Sequence, residues 1–287
     1  ITYGHAHTSH LLIQCGADVN RKCKDGLTAL IEAVRGRRND IAWLLLENKA
    51  APDLVDDGGA TPLHYAVVDR NASLVWLLVS KNADVNIRDG AGMSVLDVAV
   101  LGGDFSLVWL LLHHGARASD PDLGCSGRLT PLHYAAKHGH EKIARLLVSN
   151  QAEIDAKDKD GLTALIYATR QDDKVMMESL LEQGASPNVQ DTVGCTALHH
   201  AIKMGNRMRA VVVLLKERAN ADLQNDDQKT PLMLAAEGGQ FLEVLALLEH
   251  GASAGIKDAN GKTARALAEA KGHEDVLTIM SGAGVTT

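Results

Sequence analysis

The sequence predicts an all-α fold, a solenoid of stacked helix-turn-helix units, on three observations. One capping residue recurs as Thr28, Thr61, Ser94, Thr130, Thr163, Thr196, Thr230 and Thr263, with separations of 33, 33, 36, 33, 33, 34 and 33 residues. A fixed period of this size is the signature of a repeat array. Each period holds two short apolar-faced segments either side of a reversing position. The interior has to be built from thin side chains, because 46% of residues are hydrophobic but only 3% are aromatic.

Residues 127–149 hold the unit in its cleanest form. The Thr130 hydroxyl can accept from an unpaired first-turn N–H, and Pro131 suits the next position, where no N–H is needed. Gly139 tolerates positive φ and lets the chain reverse. Ile143, Leu146 and Leu147 then lay an apolar stripe along a second helix. A hairpin with one apolar side needs neighbours to bury it.

Taken in order, residues 1–20 supply only a second helix, and the chain opens midway through a repeat with no initiating Met, so it is expected to be a piece of a longer protein. Eight units follow at about 22–53, 55–86, 87–120, 124–155, 156–188, 189–222, 223–255 and 256–287. They are read as a single array, since a stack adds core linearly. Arg37 and Arg70 stand where the reversing Gly is expected, so those turns are predicted to be strained or altered, whereas Asp172 tolerates the left-handed conformation better. The third unit substitutes Ser94-Val95-Leu96-Asp97 for the cap phrase, and three extra residues in 119–126 must project at its edge. One extra residue in 205–210 should bulge the sixth turn, and Lys271, Glu274 and Asp275 make a polar end cap.

Thr-Pro-Leu-His stands whole at 61–64 and 130–133, and Thr-Pro-Leu at 230–232. A closing phrase recurs as Gly16-Ala17-Asp18-Val19-Asn20, Ala83-Asp84-Val85-Asn86, Gly184-Ala185-Ser186-Pro187-Asn188 and Gly251-Ala252-Ser253. On these two motifs, in register over nearly the whole chain, the sequence resembles the ankyrin repeat family. The resemblance implies β-hairpin-like fingers between units, projecting at right angles to the helices, and a concave groove lined by fingers and first helices. The turn chemistry of Asp158-Lys159-Asp160-Gly161 and Asp258-Ala259-Asn260-Gly261 suits such fingers.

Net charge is −7, from 29 basic and 36 acidic residues, and no long positive stripe follows the array, which argues against nucleic acid as a partner. Cys15, Cys23, Cys125 and Cys195 lack metal-ligand spacing and are too scattered for a disulfide framework, so they read as reduced thiols of an intracellular, cytoplasmic protein. No apolar run approaches the roughly 18 residues of a membrane span.

Thirteen histidines invite a metal or catalytic reading, but their register explains most of them. His64, His133 and His199 share one position beside a capping Thr, and His5, His140 and His273 share another after the turn, as scaffold residues would. His5, His7 and His10, and the pair His113 and His114, have no partners at metal spacing. With no phosphate loop, nucleophile elbow or acid-base dyad, no catalytic residue, metal or cofactor is expected.

The position after the cap His reads Glu32, Tyr65, Val98, Tyr134, Tyr167, His200, Leu234 and Leu267. The resemblance puts this row toward the groove, where Tyr65, Tyr134 and Tyr167 are either binding anchors or a half-buried packing row. Arg35, Asp69, Lys137, Arg170, Lys203 and Glu237, just before the turn, vary in sign as a recognition surface does, and Asp122 lies in the long connection at the groove edge. Leu12 to Asn20 and Leu78 to Asn86 match the acceptor pattern for asparaginyl hydroxylation known in ankyrin repeats, on Asn20 and Asn86, although Asp-Val-Asn is also simply the family's usual phrase.

The three tryptophans, Trp43, Trp76 and Trp109, each follow their aligned capping residue by fifteen. With Ile41 as zero, Trp43 falls near ~200°, across from the apolar arc. The indoles are expected to form an outward ladder covered by a partner, a neighbouring domain or a second copy, or else to lie flat within the array. The function expected is a non-enzymatic protein-protein interaction module presenting the groove to a protein ligand; the alternative is a regulatory or substrate-recruiting domain of a larger enzyme or channel.

Overall fold

The computed structural model describes residues 6–121, 127–205 and 207–282. Asp122, Cys125 and most of the long connection therefore lie outside the described residues, as do the extra residue Asn206 and His5. A lone helix, α1 (Ala6–Gln14), is followed by eight helical hairpins. Their first and second helices are α2 (Ala29–Arg35) with α3 (Asn39–Glu47), α4 (Pro62–Val68) with α5 (Ala72–Ser80), and α6 (Val95–Leu101) with α7 (Phe105–His113). Next come α8 (Pro131–Lys137) with α9 (Glu141–Ser149), α10 (Ala164–Gln171) with α11 (Lys174–Glu182), and α12 (Ala197–Met204) with α13 (Met208–Lys216). The last are α14 (Pro231–Glu237) with α15 (Phe241–Glu249) and α16 (Ala264–Lys271) with α17 (Glu274–Gly282). The fold is an all-α solenoid.

Helices of seven to nine residues are too short to be stable alone, so caps and stacking hold them. The Thr28 side chain accepts from Ile31 N–H, Thr61 from His64 N–H, Ser94 from Asp97 N–H and Thr196 from His199 N–H. His64 and His199 return the bond, each Nδ1 accepting the N–H of its own capping Thr. Every hairpin then reverses through one residue of positive φ: Arg37 (φ 54°), Arg70 (52°), Gly103 (67°), Gly139 (70°), Asp172 (55°), Gly205 (62°), Gly239 (66°) and Gly272 (74°). Arg37 and Arg70 thus take the positive φ that glycine takes elsewhere, a strained conformation for a residue with a Cβ, as the sequence predicts. Each arginine is held by the following unit, Arg37 in an ion pair with Asp69 at 3.0 Å and Arg70 Nη2 donating to the Gly102 carbonyl at 2.7 Å.

The chain forms two compact units, residues 1–135 with 146–152, and residues 136–145 with 153–287. In the first, α2, α4 and α6 pack in sequence order, as do α1, α3, α5 and α7. In the second, α10, α12, α14 and α16 do the same, as do α11, α13, α15 and α17. The cores are shallow and aliphatic: Leu30, Ile41, Leu45, Leu63, Leu74 and Leu78 are fully buried in the first unit, and Leu165, Met176, Leu180, Leu198 and Leu214 in the second.

The fingers close with one rung each, such as Asp56 N–H to Ala60 O and Asp158 N–H to Leu162 O. An isolated bridge between Arg88 and Ser94 is the one β-pairing among the described residues. Neighbouring fingers also bond to each other, Gly90 N–H to Gly58 O at 2.7 Å and Thr192 N–H to Asp160 O at 3.1 Å. The approach is close enough that a Cβ on Gly59 would stand 2.6 Å from Gly90 N.

Candidate recognition site

In the fingers at Asp56, Asp158 and Asp191 one carboxylate organises the turn. Asp56 Oδ1 accepts from Gly58 and Ala60 N–H, Asp158 Oδ1 from Asp160 and Leu162, and Asp191 Oδ1 from Val193 and Cys195. The second oxygen is then free to reach the first helix of the same unit, nine residues on. The Tyr65 hydroxyl donates to Asp56 Oδ2 at 2.5 Å, the Tyr167 hydroxyl to Asp158 Oδ2 at 2.8 Å, and His200 Nε2–H to Asp191 Oδ2 at 2.8 Å. A carboxylate thus clamps finger to helix, and such charge-assisted bonds are the stronger class.

The clamp sets the protonation of its members. The bond to Asp56, with burial, pushes the Tyr65 hydroxyl up, and burial followed by the bond to Asp158 does the same to Tyr167. Burial lowers His200 against the opposing pull of Asp191, keeping its imidazole neutral with Nδ1 facing Arg170 Nη2 at 3.4 Å. Burial would raise Asp56 and Asp191, but the N–H and O–H donors around them prevail and hold both below the usual carboxylate range.

Around the clamps stand the charges at the ends of the first helices. The Arg35 guanidinium lies over the Tyr65 ring at 5.4 Å and meets Glu32 at 3.4 Å. Asp69 is held by Arg37. Lys137 is exposed. Arg170 is half-buried beside His200, and Lys203 Nζ donates to the buried Cys195 Sγ at 3.0 Å. Glu237 pairs with Lys229 at 2.5 Å. Tyr134 differs from the other two tyrosines: it is 4% exposed and its hydroxyl donates to Met93 Sδ at 3.5 Å, so its ring is packing rather than surface. The finger position nine residues before it is Cys125 instead of Asp.

Asn20 and Asn86 join successive units. Asn20 Oδ1 accepts from Ala51 N–H at 2.8 Å and Asn86 Oδ1 from Arg117 N–H at 3.0 Å, while the Asn86 amide donates to Gly115 O at 3.1 Å. On the other side of the hairpins Trp43, Trp76 and Trp109 are exposed, at 52%, 59% and 51%. Among the described residues, no group of three or more His, Cys, Asp and Glu side chains is placed to hold a metal, and no helix is long and apolar enough to cross a membrane.

A family profile described as ankyrin repeats (3 copies) matches residues 1–89, 96–191, 150–220 and 198–286. The chain is similar to the crystal structure of the ankyrin repeat domain of Bcl-3, a unique member of the IkappaB protein family, with a TM-score of 0.71 and 30% identity over 78% of this chain and 100% of that one. It is also 35% identical over 77 residues to Protein glp-1 of Caenorhabditis elegans, a match covering 27% of this chain and 6% of the length of that relative. Ankyrin repeats are in general protein-protein interaction modules and typically non-catalytic. The chain belongs to the ankyrin repeat family.

Proposed function

We propose that this chain recognises a protein ligand through its fingers and first helices, each compact unit presenting its own stretch of that surface. The observation that carries the reading is the carboxylate clamp, Asp56 to Tyr65 and Asp158 to Tyr167, with Asp191 to His200 as its variant. A surface whose fingers are already tied to the helices loses little conformational freedom on binding, and preorganisation of this kind is what converts modest contacts into affinity. Tyr65 and Tyr167 then offer ring area with an already satisfied hydroxyl, and Arg35, Asp69, Lys137, Arg170 and Lys203 supply the charges that select the ligand. No cofactor or metal takes part in this recognition, and the ligand is a polypeptide rather than nucleic acid.

The test is a double charge reversal, Arg170→Glu with Lys203→Glu, measured against the polypeptide recovered with the full chain from its source cells. The reading expects affinity to fall at least about tenfold, as for loss of two centrally placed charge contacts, with helicity unchanged. Unchanged affinity, with the same loss produced instead by substitutions on the second helices, moves the site elsewhere. A second reading makes the array the recruiting or regulatory part of a longer enzyme or channel; it is supported by glp-1, in which the matching repeats occupy 6% of the length.

A further inference from the structure

Arg35, Lys137, Arg170, Lys203 and Glu237 each stand seven residues after their capping residue, whereas the second and third hairpins have Val68 and Leu101 there. Val68 is 65% exposed and Leu101 37%. Beside Val68 a cavity of about 170 Å³ opens between α4 and α6. Val67, Val68, Val98 and Leu107 line its apolar side, and Arg70 and Asp104 its polar side. Arg70 holds a left-handed φ of 52° at a turn where Gly103, Gly139, Gly205, Gly239 and Gly272 serve other hairpins. Backbone strain of that kind clusters at functional sites. The Arg70 Nη2 donates to Gly102 O at 2.7 Å, but unlike Arg37, which pairs with Asp69, Arg70 enters no ion pair among the described residues. A guanidinium carries five N–H donors, so donors remain. Asp104 spends Oδ1 on the N–H groups of Ser106 and Leu107 at the start of α7, which leaves Oδ2 able to accept.

We propose that this cavity takes one aliphatic side chain of a polypeptide ligand, of about leucine size, with the backbone of that ligand residue held between Arg70 and Asp104. The inference rests on the reading of the chain as a polypeptide-recognising module and names an anchor for its first compact unit. Volume selects a single group, because a cavity of about 150 Å³ lined by apolar side chains holds one benzene-sized molecule and this one is of similar size. The lining selects an apolar group, since an ion placed among Val67, Val98 and Leu107 would lose its hydration. The polar side then selects a peptide over other apolar ligands. A backbone carbonyl can accept from Arg70 while the N–H of the same residue donates to Asp104. A fatty acid has no N–H to give, and its carboxylate would meet Asp104 as a like charge. A helix of a second copy of this chain has its backbone groups bonded internally.

The probe is N-acetyl-leucine methylamide, which carries one such side chain between two peptide groups. It is titrated into the full chain with the Val and Leu methyl groups labelled for NMR. The proposal expects saturable shifts of the Val67, Val68, Val98 and Leu107 methyls, and none with N-acetyl-serine methylamide. Val68→Asp should weaken the leucine probe at least about tenfold and Val68→Leu should retain it. Val175→Asp, at a comparably exposed valine of α11, should change nothing. Arg70→Gly separates binding from folding. Glycine takes positive φ without strain, so the fold should stand, while the probe binds at least about fivefold more weakly for loss of one hydrogen bond. The proposal is overturned if the leucine probe moves none of these methyls, if the serine probe moves them equally, or if Arg70→Gly leaves the affinity unchanged. It is also overturned if 4-methylpentanoate binds as tightly, which would make the occupant a free carboxylate, or if the shifts follow protein concentration alone, which would make it a second copy. Such a failure is distinct from failure of the wider reading, which the reversal of Arg170 and Lys203 in the second unit decides independently.

Discussion

The Tyr167 hydroxyl donates to Asp158 Oδ2 at 2.8 Å while Asp158 Oδ1 holds the two N–H groups of its own finger, so one carboxylate ties a turn to the helix nine residues downstream. Tyr167→Phe leaves Asp158 Oδ2 without that donor in a buried position. We expect a loss of about 1.5–3 kcal/mol, the range for a hydrogen bond to a charged group, read as a lower urea midpoint.

The eighth hairpin shows the same carboxylate without the clamp. Asp258 Oδ1 accepts from Asn260 and Lys262 N–H, but position 267 is Leu, and Asp258 Oδ2 is buried with no partner. Leu267→Tyr should supply the missing hydroxyl. The expected result is a higher thermal midpoint and slower amide exchange at Lys262; a lower midpoint would show that the ring does not fit there.

Acid should loosen the array in two separate windows. His199 is pushed down to about 4, chiefly by burial, and His64 is lowered for the same reason. Between the ordinary histidine value of 6.5 and about 4 the unfolded chain takes up protons that the folded chain refuses. Stability is therefore full above 6.5 and declines as pH falls toward 4, by up to roughly 3 kcal/mol for His199 at about 1.4 kcal/mol per unit. Asp56 and Asp191 lie below the ordinary 3.8, so their contribution is lost only below that value. Urea midpoints from pH 7 to 4 should fall smoothly, and His199→Gln should flatten that slope while lowering stability at pH 7.

Backbone strain predicts a gain. Lys49 (φ 66°), Gln151 (67°) and Arg218 (60°) end second helices in the left-handed region, where the equivalent Gly184 has φ 97°. Each residue is exposed, and replacement by Gly should stabilise by about 0.5–1 kcal/mol net of the added unfolded-state entropy. Gly184→Ala, with nothing within 4 Å of its new Cβ, should lose about 1 kcal/mol from backbone conformation alone.

The hairpins were readable because their determinants are local. Thr28 caps the helix that begins at Ala29, and Gly139 reverses a chain that any periodicity search would break there. Arg37 and Arg70 were expected to strain their turns and do, at φ 54° and 52°; the local sequence could not show that Asp69 and the Gly102 carbonyl, both more than thirty residues away, hold them there. The clamp was present as a spacing, Asp nine residues before Tyr65, Tyr167 and His200, yet a nine-residue contact between a loop and a helix matches no helical period. Position 134 read as equivalent to positions 65 and 167, but without an Asp at position 125 Tyr134 turns inward to Met93. The outward indoles followed from helical phase alone, since Trp43 lies opposite the apolar arc of its own helix.

The central claim, recognition by fingers and first helices, is tested most directly by amide hydrogen exchange of the full chain with and without the polypeptide recovered with it. The account predicts added protection at finger and first-helix amides, from 158 to 171 and from 191 to 204 in the second unit, with little change in α11 and α13. Protection confined to the second helices, with the fingers exchanging as in the free chain, would contradict it.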